Sequence, residues 1–131
     1  MNDYVIDASA IVFALSGRSA ADELRVRLPN MRRHAPHLID AEVGNVLRRH
    51  ERSGRISSDE ALIALHTAHA LIDHRYPHTG TLAADAWTAR SNLTFYDGLY
   101  VVLAARLDVP LVTADARLSR APDLPCTVDL V

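Results

Sequence analysis

The stretch TFYDGLYVVLAARLDVPLVTADARL, running from Thr94 to Leu118, decides the fold. Leu99, Val102, Leu103 and Leu107 recur at helical spacing, which predicts a helix over Asp97–Leu107 with that face turned inward. Asp108-Val109-Pro110 then turns the chain, because proline cannot continue a helix. Leu111–Thr113 is a short apolar run that reads as a buried strand, and Ala114-Asp115 leads into a short helix containing Leu118. Helix, tight turn and apolar strand in direct succession are the return half of a parallel crossover unit.

The same grammar extends in both directions. DYVID, residues 3–7, reads as a buried strand ending at Asp7, followed by a helix over Ala8–Leu15 that stops near Gly17. A second helix is expected over Ala20–Leu28, before Pro29, and a short strand over Arg33–Ala35. Pro36 is placed as the first residue of the next helix, where its missing N–H costs nothing. That helix carries Ile39, Val43, Val46, Leu47 and His50 on one side and stops at Ser53-Gly54. Ser57 and Glu60 form a capping box for a helix through Leu62, Leu65, His69 and Ile72, though Leu71–Asp73 reads equally well as a short strand. A further helix covers Leu82–Asn92, and Cys126–Val128 is the last strand. Short apolar strands alternating with helices predict an α/β fold with a short parallel sheet of four to five strands, flanked by about seven helices and covered on both faces. The 131 residues suit a single domain over 1–131.

Composition narrows the classes. Hydrophobic residues make up 49% of the chain, too many for a disordered segment. A single cysteine, Cys126, excludes an internal disulfide and suits a reducing compartment. The N-terminus lacks a basic region and is interrupted by Asp3 and Asp7, so it makes a poor signal peptide, and no run approaches the roughly 20 apolar residues of a membrane helix. A cytoplasmic protein with no membrane partner is expected. Net charge is −2, and all 14 basic residues are arginine. With Asp7, Glu42, Asp97 and Asp115 set aside, twelve acids face fourteen arginines and the remainder carries +2. Charge therefore does not exclude a polyanionic substrate, and arginine's fork suits phosphate.

Those four acids are set aside for a topological reason. In open parallel sheets ligands bind outside the carboxyl ends of the strands. Asp7 and Asp115 each fall just past a strand, Asp97 opens a helix at that same edge, and Glu42 lies at the margin of its helix's apolar face. Gathered in one cleft, four carboxylates would raise at least one pKa or require a cation. Oxygen-only ligands favour hard ions, Mg²⁺ or Mn²⁺, which polarise a phosphodiester oxygen and acidify water. Taken singly, each has a structural alternative: Asp97 and Asp115 as helix caps, Asp7 as a loop residue, Glu42 as helix surface. The residues alone leave both readings open.

Three segments resemble a known family: YVIDASAIVFAL with Asp7 and Ser9, APHLIDAEVGNVLRR with Glu42 and Asn45, and TFYDGLYVVLAARLDVPLVTADARL with Asp97 and Thr113-x-Asp115. Their order and spacing resemble the PIN-domain nucleases and, within them, the VapC-type toxins of bacterial toxin–antitoxin pairs. The resemblance implies the PIN-like version of the fold and an endoribonuclease whose acids Asp7, Glu42, Asp97 and Asp115 bind Mg²⁺, with Mn²⁺ as substitute, and activate a water. It implies supporting roles for Ser9, Thr113 and Asn45, a homodimer, a VapB-type antitoxin and an RNA substrate, whether tRNA, rRNA or mRNA. Two departures are minor: Gly98 stands where alanine is more usual, and Asp108 where glycine is common, although aspartate tolerates left-handed geometry.

Other features are read conservatively. Arg48, Arg49, Arg52 and Arg55 form a basic helix end, favoured there by the helix dipole; a contact to RNA or antitoxin is the functional alternative. His66 and His69 share a helix face without cysteine or acid partners. Trp87 and Leu82 are assigned to core or dimer surface, and Tyr100 to packing, while Tyr96 is left without a role. A phospho-receiver module is disfavoured, because the first strand ends in one acid and the chain has no lysine. A catalytically silent PIN-like module that binds RNA or a partner remains the alternative to the toxin.

Overall fold

The computed structural model describes residues 2–131. Five strands form one wholly parallel sheet: β1 (Asn2–Ile6), β2 (Met31–Pro36), β3 (His74–Tyr76), β4 (Leu111–Thr113) and β5 (Val128–Leu130), in spatial order β3-β2-β1-β4-β5. The chain order reverses at β1, so the crevice beside it is the topological switch point where ligands collect. Seven α-helices connect the strands: α1 (Ala8–Ala14), α2 (Asp22–Arg27), α3 (Leu38–Arg52), α4 (Ser58–Leu71), α5 (Gly80–Thr88), α6 (Phe95–Leu107) and α7 (Ala116–Ser119).

The sheet is covered on both faces, and the burial pattern gives the reason. Successive strand residues point to opposite sides, yet Val5 and Ile6, like Leu111, Val112 and Thr113, have no exposed surface. On one side α6 lies along β1 and β2 and packs against α5, while α1, α3 and α4 form a second packed group. Among the described residues no helix is long and apolar enough to cross a membrane.

Local chemistry explains the element ends. Ser57 and Glu60 close the expected capping box at α4 with reciprocal 3.1 Å bonds. Gly54, at φ 79°, takes the left-handed geometry that ends α3. Asp108 adopts the same geometry, φ 54°, after α6, as its tolerance for that region allows. Gly98 has a positive reason for lacking a side chain. A Cβ there would sit 3.2 Å from the Ala86 carbonyl oxygen, so glycine lets the first turn of α6 press against α5.

Several expected boundaries move. Pro36 does not open a helix; it is buried as the last residue of β2, pairs with Tyr76, and is followed by α3 from Leu38. Its fixed φ suits either role, and the pairing with β3 decides. That pairing also places β3 at His74–Tyr76 rather than Leu71–Asp73, leaving Leu71 in α4. The Ala20–Leu28 helix is divided into a 3₁₀ turn at Ser19–Ala21, α2, and a second 3₁₀ turn at Leu28–Asn30 containing Pro29. The Leu82–Asn92 helix starts earlier and ends at Thr88. The last strand is shifted from Cys126–Val128 to Val128–Leu130, in register with Leu111–Thr113.

Candidate active site

Asp7 is the most constrained of the four acids. It follows β1 directly, caps α1 and is only 8% exposed. Its Oδ1 accepts from the Ser9 hydroxyl at 2.6 Å and the Ala10 N–H at 3.0 Å; Oδ2 accepts from the Thr113 hydroxyl at 2.5 Å. A hydroxyl has one proton to give, and Ser9 and Thr113 both direct theirs at Asp7. Their oxygens in turn accept from the turn after β4, Ser9 from the Ala114 N–H at 2.9 Å and Thr113 from the Asp115 N–H at 3.0 Å. Two hydroxyls thus lock the end of β1 to the end of β4, and Asp115 is registered against Asp7 through the backbone. Burial pushes the Asp7 carboxyl above its ordinary range, against the pull of those hydrogen bonds, and the nearby charge of Asp97 adds to the rise.

Asp97 does not cap α6. Thr94 does, its hydroxyl accepting the Asp97 N–H at 3.1 Å. The Asp97 carboxylate is thereby free of the duty the sequence left open. Asp115 is a cap: it accepts the N–H groups of Arg117 at 2.9 Å and Leu118 at 3.3 Å through Oδ1. Its other oxygen receives the Arg117 guanidinium at 3.1 Å, and the same nitrogen reaches Asp97 Oδ2 at 3.2 Å.

Glu42 projects from the first half of α3. Its Oε1 is buried without a hydrogen-bond partner among the described residues, and so is the Tyr100 hydroxyl. Burial pushes Glu42 upward against the pull of the facing Tyr100 hydroxyl, and the charges of Asp7 and Asp97 add to the rise. Tyr100 is pushed upward by burial and by the charge of Glu42. Asp7, Glu42 and Asp97 therefore sense one another electrostatically, while Asp97 and Asp115 are joined through Arg117. Among the described residues no three carboxylate or histidine side chains already form a closed metal cage. The arrangement is a loose acidic cleft in which the Glu42 carboxyl and the Tyr100 hydroxyl face each other.

Ser9 and Thr113 touch Asp7 as described, whereas Asn45 is exposed on α3 and takes no part in these hydrogen bonds. Sequence reasoning missed Arg117, although its position two residues past a capping Asp115 was a usable signal. It assigned Tyr100 to packing; the residue is packed, at 2% exposure, but its hydroxyl faces the acidic cleft. Its spacing of three from Asp97 puts both on one helix face. Beside Ser9 a groove of about 700 Å³ runs between α1, α3 and α4, floored by Val12, Phe13, Val46 and Leu47 and edged by Arg18, His50 and Arg55.

Comparison with known proteins gives a consistent picture. The PIN domain family profile matches residues 4–124. Ribonuclease VapC1 of Mycobacterium tuberculosis strain H37Rv is 52% identical, the alignment covering 100% of this chain and 99% of that protein. The crystal structure of PAE2754 from Pyrobaculum aerophilum superimposes with a TM-score of 0.69 at 27% identity, covering 89% of this chain and 82% of the other. VapBC2 from Rickettsia felis, solved bound to a DNA fragment from its promoter, matches the fold with a TM-score of 0.70 at 12% identity over 98% of both chains.

Proposed function

Because this chain belongs to the PIN-domain family and, within it, to the VapC ribonucleases, we propose that it is the toxin of a toxin–antitoxin pair, a metal-dependent endoribonuclease acting through Asp7, Glu42, Asp97 and Asp115. The observation that carries this reading is the pair of raised carboxyl groups, Asp7 and Glu42, with no cation partner among the described residues. Two carboxyl groups raised by burial and by like charge, with only the Tyr100 hydroxyl facing Glu42, suit a site that a cation completes.

The donor set is all oxygen, which suits a hard divalent ion. PIN-domain ribonucleases are in general divalent-metal dependent, and Mg²⁺, with Mn²⁺ as substitute, is the ion assigned here. When bound, such an ion supplies charge neutralisation at the phosphodiester and lowers the pKa of water. Asp7, Glu42, Asp97 and Asp115 would hold it. The chain's own contribution is orientation. Ser9 and Thr113 fix the rotamer of Asp7, Thr94 frees Asp97 from capping, and the Thr113–Asp115 bond sets the spacing across the cleft. Asn45, exposed one turn after Glu42, is assigned a weaker supporting role.

RNA is the substrate in this reading, and the exposed Arg48, Arg49, Arg52 and Arg55 beyond Glu42 on α3 and its following turn give it a cationic approach. A small VapB-type antitoxin is the partner, and the groove beside Ser9 offers an apolar floor adjoining the acids. The exposed apolar side chains of α4 and α5, Leu62, Ile63 and Trp87, offer surface for a homodimer.

The test is cleavage of total RNA by purified protein with Mg²⁺, Mn²⁺ or chelator, with cleavage ends mapped for wild type beside Asp97→Ala. Metal-dependent cuts at defined ends, lost in the variant, are expected. Equal cleavage by Asp97→Ala would remove the site assignment. Inertness of wild type with every metal, joined to absence of metal binding, would favour a silent binding module.

A further inference from the structure

Arg117 is, among the described residues, the only cation paired with any of the four acids. The pairing is strained toward weakness. A single terminal nitrogen serves both carboxylates, at 3.2 Å to Asp97 and 3.1 Å to Asp115, longer than the roughly 2.7–2.9 Å of a good charge-assisted bond. The planar fork, which would grip one carboxylate with two parallel bonds, is not used that way. The side chain is 67% exposed, so solvent screens both contacts. Its backbone, by contrast, is pinned: the Arg117 N–H donates to Asp115 Oδ1 at 2.9 Å inside the first turn of α7. The result is a fixed base with a guanidinium free to swing.

A divalent cation shared by Asp97 and Asp115 would take the space and the charge balance that the guanidinium now supplies. The two positive groups repel at that range. Once displaced, the guanidinium stays on the rim of the cleft, tethered at α7, where a polyanion must pass to reach the acids. We propose that Arg117 is a displaceable counter-ion, which holds Asp97 and Asp115 together in the resting protein, yields its place to the metal, and then contacts a phosphate of the RNA. This rests on the metal-dependent ribonuclease reading above and adds to it a residue that couples ion loading to substrate binding.

The proposal demands effects of opposite sign from one substitution. In Arg117→Ala the metal no longer competes with an internal cation, so Mn²⁺ binding without RNA, measured by titration calorimetry, tightens by roughly two- to fivefold, as expected for loss of an exposed ion pair. At saturating Mn²⁺, KM for a fluorogenic single-stranded oligoribonucleotide rises about fivefold with a smaller change in kcat, because a charge-assisted phosphate contact is lost. Arg117→Lys keeps a charge without the fork and recovers part of the KM. Arg120→Ala, at the end of α7 and exposed, changes neither quantity, and circular dichroism confirms that all variants fold. Unchanged or weaker Mn²⁺ affinity in Arg117→Ala, or an unchanged KM, overturns the proposal while leaving the ribonuclease reading intact. A wild-type protein that binds Mn²⁺ but cuts neither the oligonucleotide nor total RNA overturns both.

Discussion

Two sets of acids in this molecule are treated in opposite ways. Away from the cleft, several carboxylates are paired with a cation. Asp40 receives the fork of Arg75 at 2.8 and 2.9 Å, with His69 beside it; Asp129 takes Arg27 at 2.5 Å; Asp3 takes His34 at 2.7 Å. Hydrogen bonding to Arg75 holds Asp40 below its ordinary range, and the bond from His34 does the same for Asp3. In the cleft, Asp7 is buried and Glu42, on α3, is half-buried; both are pushed upward, and neither pairs with Arg117. Among the described residues only the exposed Arg117 is set against the cleft acids, and it serves Asp97 and Asp115 alone. Carboxyl groups that burial and like charge push upward, in a chain that holds others down with a paired cation, are what the proposed metal site rests on.

The sharpest way to break this contrast is to remove a cleft acid that caps no helix and has only the exposed Arg117 as a partner. Asp97→Asn is expected to lower RNA cleavage by about 10³-fold or more, several kcal/mol of transition-state stabilisation, while the melting temperature stays level or rises. A melting temperature that fell along with activity would move Asp97 into the structural set.

Asp7 belongs to both sets, which makes it the sharper probe. Asp7→Ala removes the cap of α1 and leaves the Ser9 and Thr113 hydroxyls without their acceptor. A loss of about 2–3 kcal/mol in unfolding free energy is expected beside the loss of cleavage, read by denaturant titration. Stability equal to wild type would show that the hydroxyl lock does not hold the two strand ends.

The third probe is pH, on metal-free protein. Glu42 stands above its ordinary value of 4.5, so its contribution is fully present below that pH and is lost as pH rises through its folded value. Asp40 stands below 3.8, so its contribution is present above that pH and is lost as pH falls through its folded value. Glu42→Gln should therefore raise the melting temperature at pH 7 and leave it unchanged near pH 4. Asp40→Asn should lower it at pH 7 by less than about 1 kcal/mol equivalent, since the pair is 44% exposed on the acid side, with the deficit shrinking below pH 3.8. The same sign in both variants would erase the distinction between the two sets.

The smallest effect tests the paired set at its most exposed. Arg106 bridges Asp85 and Thr81 across α5 and α6. Arg106→Ala should cost only about 0.5 kcal/mol and leave cleavage unchanged, even though α6 carries Asp97.

How much of this was legible before the structure follows from what each signal measures. Long apolar periodicity is set by burial, so α3, α4, α6 and the strand after Pro110 were readable along with their order. Order plus the parallel-sheet rule then brought Asp7, Asp97 and Asp115 to one edge. Edge strands were misplaced because neither carries a buried apolar run. β3 reads His-Arg-Tyr, and its place is set by register with β2 across a wide gap in sequence. Pro36 was misassigned because its fixed φ is compatible with two elements. The choice between cap and site residue was illegible for a different reason. It turns on which hydroxyl reaches a given N–H: Thr94 answers it for Asp97, while Asp115 serves as a cap and still faces the cleft. Arg117 has one local signal, its place two residues past a capping Asp115, but the direction of a single exposed side chain has no periodic signature.

The hydroxyl of Thr113, with no exposed surface, bonds to a carboxylate 106 residues earlier in the chain. That span has a consequence in time. During synthesis Asp7 emerges first, and its α1 can form while the partner that fixes its rotamer has not yet been made. Until β4 docks beside β1, the cleft lacks Asp115, Arg117 and the lock on Asp7 together. A nascent chain therefore carries an incomplete cleft for most of its synthesis. The cleft is thus assembled late, at the docking of β4 beside β1, and anything that recognises it, ion or protein, meets only the folded domain.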